Sequence, residues 1–234
     1  MAILRRELLA SFGHPLAYVA LIVFIGLVAL FTLWFDDVMV GGVASMRHPF
    51  RWMAGCLVVL APAVTMRAVA EERRTGTLHV LATMPVTTTE IVLGKWLGAV
   101  TLVAVALGLT LTWPLALARL GDLDPGPVLA GYAGLLLAGA AMAAIGIAAS
   151  AATDSQVVAF LVAASISGIP WLVGLALPLV PRELLPIVQY ATFDYHFGNL
   201  AEGVVDSRSL VFFATVIGGG LRAAVHSLEV RRLT

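Results

Sequence analysis

One polar stretch, residues 65–95, concentrates the side chains that could form specific interactions. Its charged residues are Arg67, Glu71, Glu72, Arg73, Arg74, Glu90 and Lys95. On a helix, Glu71 would lie three or four residues from both Arg74 and Arg67, a spacing at which opposite charges pair. The stretch lies between two apolar runs. This pattern favours a surface that contacts a soluble protein over a catalytic site.

Turn residues divide the stretch into three predicted helices. The first helix is predicted to continue the preceding apolar run by a turn or two, with Arg73 and Arg74 in its last turn and Gly76 at its C-cap. A short amphipathic helix follows, with its apolar stripe at Leu78, Leu81 and Met84, and Pro85 ends it. Thr87 and Glu90 match a capping box, which predicts a third helix from near Thr88 through Lys95 into the membrane.

The short middle helix has two interpretations. It could rest at the lipid interface, as many amphipathic helices do. Alternatively, it could be a coupling helix that transmits a push from a soluble partner to the membrane spans on either side of it. The turns predicted at Gly76 and Pro85 favour transmission, because a helix held at both ends cannot absorb a displacement.

Several classes of site find no support in the sequence. No G-x-x-x-x-G-K-[ST] motif is present, because Gly94-Lys95 has neither the upstream glycine nor the hydroxyl residue. H-E-x-x-H and G-x-S-x-G are also missing, and the five histidines are scattered. Cys56 is the only cysteine and lies in an apolar run. We therefore expect no catalytic residue, no metal site and no cofactor in this chain, and its zero net charge implies no nucleic-acid partner.

Composition indicates an all-α membrane protein. The chain of 234 residues is 60% hydrophobic and 12% charged, and its long apolar runs require a bilayer. We predict one transmembrane domain over residues 1–234, which begins with an amphipathic elbow helix that contains Arg5, Arg6 and Glu7. The six predicted spans are residues 16–35, 52–69, 96–118, 128–153, 157–180 and 209–225.

Charge distribution predicts the orientation. Nine of the 14 basic residues fall on the side of both termini and of the polar stretch, and five fall on the other side. The positive-inside rule therefore predicts cytoplasmic termini and external loops at the opposite face. Small residues in the fourth span predict close helix packing, and they include Gly139, Ala143, Gly146, Ala148, Ser150 and Ala152. The fifth span, with Gly168, Pro170 and Pro178, is expected to be broken or kinked.

The polar stretch resembles the cytoplasmic loop of ABC-2-type transporter permeases, and most closely the gliding-motility and nitrous-oxide-reductase-maturation branch. The matching positions are Thr65, Met66, Arg67, Glu71, Glu72, Gly76, Thr77, Leu81, Pro85, Val86, Ile91, Val92, Gly94 and Lys95. The similarity extends to Arg6-Glu7-Leu8 and 15–18 near the N-terminus, and to His196-Phe197 and 203–206 near the C-terminus. Gly218 to Gly220 and Arg222 depart from the family, which has a bulky apolar run there.

The resemblance implies the membrane subunit of an ATP-driven exporter or mechanical transmission complex in the inner membrane. It implies two copies of a separate ATPase, which bind ATP and magnesium, and a second permease, either identical or related. An auxiliary periplasmic or membrane subunit is a further candidate partner. ATPase coupling is expected of Arg67, Glu71, Glu72, Arg73, Arg74, Gly76, Thr77, Leu78, Leu81, Pro85, Gly94 and Lys95, and His196, Phe197 and Asp206 are candidates for an external exit.

Two alternatives stay open. A non-transport membrane scaffold or enzyme would act without an ATPase subunit, and the absence of catalytic motifs counts against it. A haem- or polysaccharide-exporting permease of the same superfamily is a closer rival. The transported substrate does not follow from the sequence.

Overall fold

A computed structural model describes residues 15–34, 45–71, 87–119, 121–177, 180–204 and 206–230. All regular structure in these ranges is helical, as predicted. The helices are α1 (Pro15–Trp34), α2 (Arg47–Thr65), α3 (Thr88–Leu109), α4 (Thr112–Leu117), α5 (Pro125–Ala152), α6 (Gln156–Leu175), α7 (Leu185–Tyr190), α8 (Phe193–Ala201) and α9 (Ser207–Val230). The predicted elbow helix and the short helix after Gly76 lie outside the described residues.

Within the described ranges, five helical segments are long and apolar enough to cross a membrane: α1, α3 together with α4, α5, α6 and α9. Helix α2, the second of the six predicted spans, is not among them. Arg47, His48 and Arg51 occupy its first turns and leave a shorter apolar part. Yet α2 lies inside the bundle, with Phe50, Met53 and Leu57 fully buried. Because neighbouring helices cover α2, it can be less apolar than a helix that faces lipid.

Helix α5 is the centre of the bundle, and its glycines explain why. A Cβ at Gly131 would lie 2.2 Å from the Phe50 ring of α2, and one at Gly139 would lie 2.6 Å from a Val103 methyl of α3. The Cβ positions at Gly134 and Gly146 are blocked in the same way by α8 and by the end of α2. The predicted role of the small residues in close packing is confirmed.

The last helix is continuous through its three glycines. Helix α9 runs from Ser207 to Val230, so it extends past both predicted ends of the sixth span. Gly220 lies against the α5 backbone, where an added Cβ would be 2.9 Å from the carbonyl carbon of Ala144. The glycine that departs from the family pattern therefore allows α9 to approach α5.

Of the expected break or kink in the fifth span, the break is absent at Gly168 and Pro170. Helix α6 passes through both residues and ends at Leu175. The missing side chain of Gly168 accommodates Val58 of α2, since a Cβ there would lie 3.2 Å from a Val58 methyl. Packing against α2 thus stabilises a helix that its local sequence would weaken.

Candidate functional site

We call the end of the bundle where the chain enters and leaves residues 72–86 the loop end, and the opposite end the far end. The start of α3 lies beside the last turns of α9, because Thr89 and Glu229 line the same groove. Helix α1 begins at the loop end, since Phe31 in its last turn stacks on Trp52 in the first turns of α2. Both ends of the described chain therefore lie at the loop end.

Helix α2 does not continue into the polar stretch as predicted. It ends at Thr65, residues 66–69 form a turn, and helical conformation returns at Ala70 and Glu71. The amide of Ala68 bonds back only three residues, to the Thr65 carbonyl. The expectation of one unbroken helix was wrong because a side chain from α5 binds the backbone here.

That side chain is Ser150. Its hydroxyl oxygen accepts hydrogen bonds from the amides of Val69 and Ala70, both at 3.1 Å, and donates to the carbonyl of Met66 at 2.9 Å. In an unbroken helix the Ala70 amide would bond to the Met66 carbonyl. Ser150 is fully buried and lies between these two groups, so it replaces that helical bond with a clamp to α5.

One turn earlier on α5, the end of α2 packs against Gly146. A Cβ at Gly146 would lie 1.9 Å from Thr65 Oγ1 and 2.9 Å from Thr65 Cβ. The Thr65 hydroxyl is buried and donates to the Ala61 carbonyl at 2.7 Å. Gly146 and Ser150, four residues apart on one face, together hold the last turn of α2 against α5.

The other side of the polar stretch is anchored as well. The predicted capping box is present: the Glu90 amide donates to Thr87 Oγ1, and the Thr87 amide donates to the Glu90 carboxylate. Two turns on, the indole N–H of Trp96 donates to the Ala140 carbonyl of α5 at 2.9 Å. Helix α3 therefore begins at Thr88 and is bonded to α5 shortly afterwards.

Two charged residues of the stretch have defined positions. The predicted ion pair between Arg67 and Glu71 is present, with both side chains partly buried. Lys95 is only 5% exposed and lies within α3, in the helix that the sequence predicted to run from near Thr88 through Lys95. Gly94 is buried beside it. The remaining predicted coupling residues, Glu72, Arg73, Arg74, Gly76, Thr77, Leu78, Leu81 and Pro85, lie outside the described residues.

An apolar cluster joins four segments at the loop end. It consists of Val69, Val92, Ile147, Ala151, Ala224 and Leu228. Val69 comes from the turn after α2, and the others come from α3, α5 and α9. Because both flanks of the polar stretch pack against the same part of α5, displacement of the stretch would reach α5 from both sides.

At the far end, His196 of α8 is fully buried. Its Nε2 donates to the Tyr190 carbonyl at 2.9 Å, which leaves Nδ1 to accept from the Ser209 hydroxyl at 3.1 Å. The ring stacks on Phe212, with centroids 4.1 Å apart. Burial lowers the pKa of His196, against the opposing effects of the Tyr190 hydrogen bond and the Asp206 charge. The imidazole is therefore a neutral, packed group.

The other candidate exit residues differ in exposure. Phe197 is buried, and a Cβ at Gly134 of α5 would lie 3.4 Å from its ring. Asp206 is half-buried, and its carboxylate accepts from the Arg208 amide at the start of α9. An exposed ion pair joins Arg47 to Glu202 nearby. His196 and Phe197 form part of a packed cluster here, and the exit role stays a prediction.

Sequence reasoning missed the clamp. Ser150 was counted only among the small residues of the fourth span, although it is polar and lies next to the end of that span. A hydroxyl at that place could have indicated contact with backbone, but its partners are 80 residues or more away in sequence. Across the described part of the chain, no three His, Cys, Asp or Glu side chains come together as a metal site.

Comparison with known proteins identifies the family. No curated protein matches the chain. The sequence profile described as ABC-2 family transporter protein matches residues 50–195, more than half of the chain. This region includes the polar stretch, the Ser150 clamp and helices α3 to α7, and the multi-pass helical structure agrees with it. The chain is therefore a multi-pass membrane protein that belongs to the ABC-2 transporter family.

Proposed function

We propose that this chain is the permease subunit of an ATP-binding-cassette exporter or mechanotransmission complex. In this proposal a separate ATPase docks on residues 65–95, and its ATP-driven closure displaces the stretch and shifts the spans. The observation that carries the proposal is the double attachment of the stretch to α5. Ser150 clamps the turn after Thr65, and Trp96 fastens α3 on the other side.

The attachment matters because a displacement must reach the membrane to be useful. A loop joined to its spans by flexible segments would absorb a push. Here the turn after α2 has three hydrogen bonds to the buried Ser150, and α3 begins at a capping box. This geometry favours transmission to α5 over an amphipathic helix that only rests at the lipid interface.

In the proposed topology the loop end is cytoplasmic and the chain crosses the inner membrane six times, with α2 as the second crossing. The charge distribution supports the orientation. The burial of α2 supports its crossing, because a helix covered by neighbours can tolerate polar first turns that lipid would not. Both termini then lie in the cytoplasm.

The proposed assembly has two ATPase copies, which bind ATP and magnesium, and two permeases, identical or related. The sequence pattern favours the gliding-motility and nitrous-oxide-reductase-maturation branch over haem or polysaccharide exporters. A non-transport scaffold is the alternative from another class, and it predicts that no ATPase co-purifies with the chain.

The orientation can be tested by labelling cysteines introduced into a variant that lacks Cys56. We expect Thr77→Cys to react with a membrane-impermeant thiol reagent only after the inner face is exposed. Asp122→Cys should react from outside in intact cells. Labelling of position 77 from outside would contradict the topology and the coupling proposal together.

Coupling can be tested with the double variant Glu72→Ala/Gly76→Val. Valine is unfavourable where the sequence predicts a C-cap glycine with positive φ, so the contact with the ATPase should be displaced. We expect the purified complex to lose the response of its ATPase to the permease, or to lose the ATPase itself. Glu202→Ala, at an exposed residue of the far end, is the control. Full transport and normal ATPase association in the double variant would refute the assignment.

The exit prediction has a separate test. If residues near His196 line the end of a transport path, Asp206→Ala and His196→Ala should reduce transport while the protein still inserts normally. Unchanged transport by both variants would leave these residues with a packing role only.

A further inference from the structure

A groove of about 470 Å³ lies between α3 and α9 at the loop end. Its walls carry polar residues toward the helix ends and apolar residues toward the middle of the bundle. On α9 the order from the middle outward is Gly218, Leu221, Arg222, Val225, His226 and Glu229, so all three charged or ionisable side chains lie outward of Gly218 and Leu221. On α3, Leu93 lies deeper than Thr89. The groove therefore has the polarity of an amphiphile that stands parallel to the two helices.

Arg222 is the residue that needs explanation. It lies 14 positions after Arg208, or about 21 Å along the helix at 1.5 Å per residue. The hydrocarbon core of a bilayer is about 30 Å thick, so the Arg222 backbone lies inside it if Arg208 is at the far surface. A charge at that depth is costly unless it reaches the interface or has a partner.

The described part of the chain does not supply that partner. Arg222, His226 and Glu229 are all exposed. None of them forms an ion pair or hydrogen bond with the part of the chain that the structure describes. The three side chains lie on one face of α9, at four- and three-residue spacing, and all line the groove. They form a charged face without a partner in the described chain, and this face runs outward from the depth of Arg222 toward the membrane surface.

We propose that this groove binds one phospholipid of the adjacent leaflet, and that the lipid is an aminophospholipid. Its phosphate would bind the Arg222 guanidinium, with His226 beside it. Arginine suits this role because its planar donors match phosphate oxygens. The lipid amine lies further from the membrane than the phosphate, and Glu229 lies further out than Arg222. The order of charges in the groove thus matches the order of charges in the headgroup.

The apolar part of the groove accommodates the start of an acyl chain. Leu93 is 38% exposed, and a Cβ at Gly218 would meet nothing within 4 Å. The absent side chain at Gly218 leaves a slot beside Leu221, directly below Arg222. The groove volume lies in the ordinary range for small-molecule sites, about 300–1,000 Å³.

The test uses the purified full chain and native mass spectrometry after incubation with equal amounts of phosphatidylethanolamine and phosphatidylglycerol. We expect the wild type to retain phosphatidylethanolamine in preference. Arg222→Gln should lower lipid retention about tenfold, as expected for the loss of one charge-assisted hydrogen bond. Glu229→Gln should remove the preference for phosphatidylethanolamine. Arg208→Gln, at the other end of α9, should leave retention unchanged.

A second pair of variants tests the groove without changing any charge. Gly218→Leu fills the slot and should abolish retention, whereas Gly219→Leu, equally unobstructed but outside the groove, should not. Equal lipid retention by wild type, Arg222→Gln and Gly218→Leu would overturn the proposal. A change in the monomer–dimer ratio with unaltered lipid retention would also overturn it, because the groove would then be an interface between copies. A wild type without preference between the two lipids would refute the aminophospholipid assignment.

Discussion

Two long helical segments are interrupted, and α5 contributes a polar side chain to each interruption. At the loop end the turn after Thr65 is bound by Ser150. Toward the far end α3 gives way to α4 at Thr110, where the Tyr132 hydroxyl donates to the Thr110 carbonyl at 3.0 Å. The two interruptions differ in where their backbone amides find acceptors.

The far-end interruption keeps its own hydrogen bonds. The amides of Thr110 and Leu111 bond to carbonyls three residues back, and the Trp113 amide bonds to the Thr110 carbonyl. At the loop end, the Val69 and Ala70 amides bond to Ser150. The far-end interruption is a tightened turn whose amides find acceptors within the same segment. The loop-end interruption depends on another helix for its amide acceptors, so only there does a change in backbone conformation require α5 to take part.

The largest expected effect is at the contact beneath the loop-end interruption. Gly146→Ala places a methyl 1.9 Å from the Thr65 hydroxyl and 2.9 Å from Thr65 Cβ, so α2 and α5 must separate. We expect destabilisation of about 1–3 kcal/mol, as for overpacking in other cores. Gly108→Ala is the control, because its new methyl meets nothing within 4 Å. The control should gain up to about 1 kcal/mol from helix propensity.

The measurement for this pair is thermal unfolding of the detergent-purified chain, with both variants at equal concentration. The two substitutions should shift the unfolding temperature in opposite directions. A similar shift in both variants would mean that the close contact at Gly146 is not formed in the protein.

Removal of the clamp should have a comparable but more local effect. Ser150→Ala leaves the amides of Val69 and Ala70 and the Met66 carbonyl without the hydroxyl, at a cost of about 1–3 kcal/mol for a buried group left unpaired. The Ala70 amide can then bond to the Met66 carbonyl, which offsets part of this cost. Hydrogen exchange at Val69 should become faster, because its amide loses Ser150 and the carbonyl four residues back, that of Thr65, already accepts from the Ala68 amide.

Thr153→Ala is the matched control for Ser150→Ala. Its hydroxyl lies three residues further along and bonds within α5, to the Ala149 carbonyl. It should leave hydrogen exchange at Val69 unchanged. In the assembled complex, Ser150→Ala should also weaken the response of the ATPase to the permease. Wild-type exchange at Val69 in Ser150→Ala would contradict the clamp.

The far-end interruption should be less sensitive. Tyr132→Phe removes the hydroxyl but keeps the ring, which packs edge-on against Phe50. Because the amides there are satisfied locally, we expect a loss of only about 0.5–1.5 kcal/mol, the usual net value of one hydrogen bond. Thermal unfolding of Tyr132→Phe, measured together with that of Ser150→Ala, checks this expectation. A larger loss in Tyr132→Phe than in Ser150→Ala would reverse the comparison between the two interruptions.

The smallest effect on stability is expected at the ion pairs near the two ends. Glu71→Gln removes the partner of Arg67, and Glu202→Gln removes the partner of Arg47. Each should cost about 0–1 kcal/mol, because partly or fully exposed pairs contribute little. The two should differ in function, since only Glu71 belongs to the proposed ATPase contact. Equal ATPase stimulation in both variants would contradict the assignment of Glu71 to the ATPase contact.

Most of the helical architecture and part of the candidate site could be predicted from the sequence. The capping box at Thr87 and Glu90 and the ion pair of Arg67 with Glu71 are local, so helical periodicity was enough to predict them. The clamp could not be predicted, because Ser150 bonds to backbone atoms 80 to 84 residues away. The continuity of α6 through Pro170 depends in the same way on packing that local rules do not contain.

The sequence by itself determined that this is a helical membrane protein, because long apolar runs leave no other way to satisfy backbone groups in lipid. It also determined where the polar stretch lies and where α3 begins. The tertiary structure alone decided that α2 ends at Thr65, that His196 is buried and that Arg222 has no partner in the described chain. These features depend on which helices meet. Contacts between segments distant in sequence decide that, and no local periodicity encodes them.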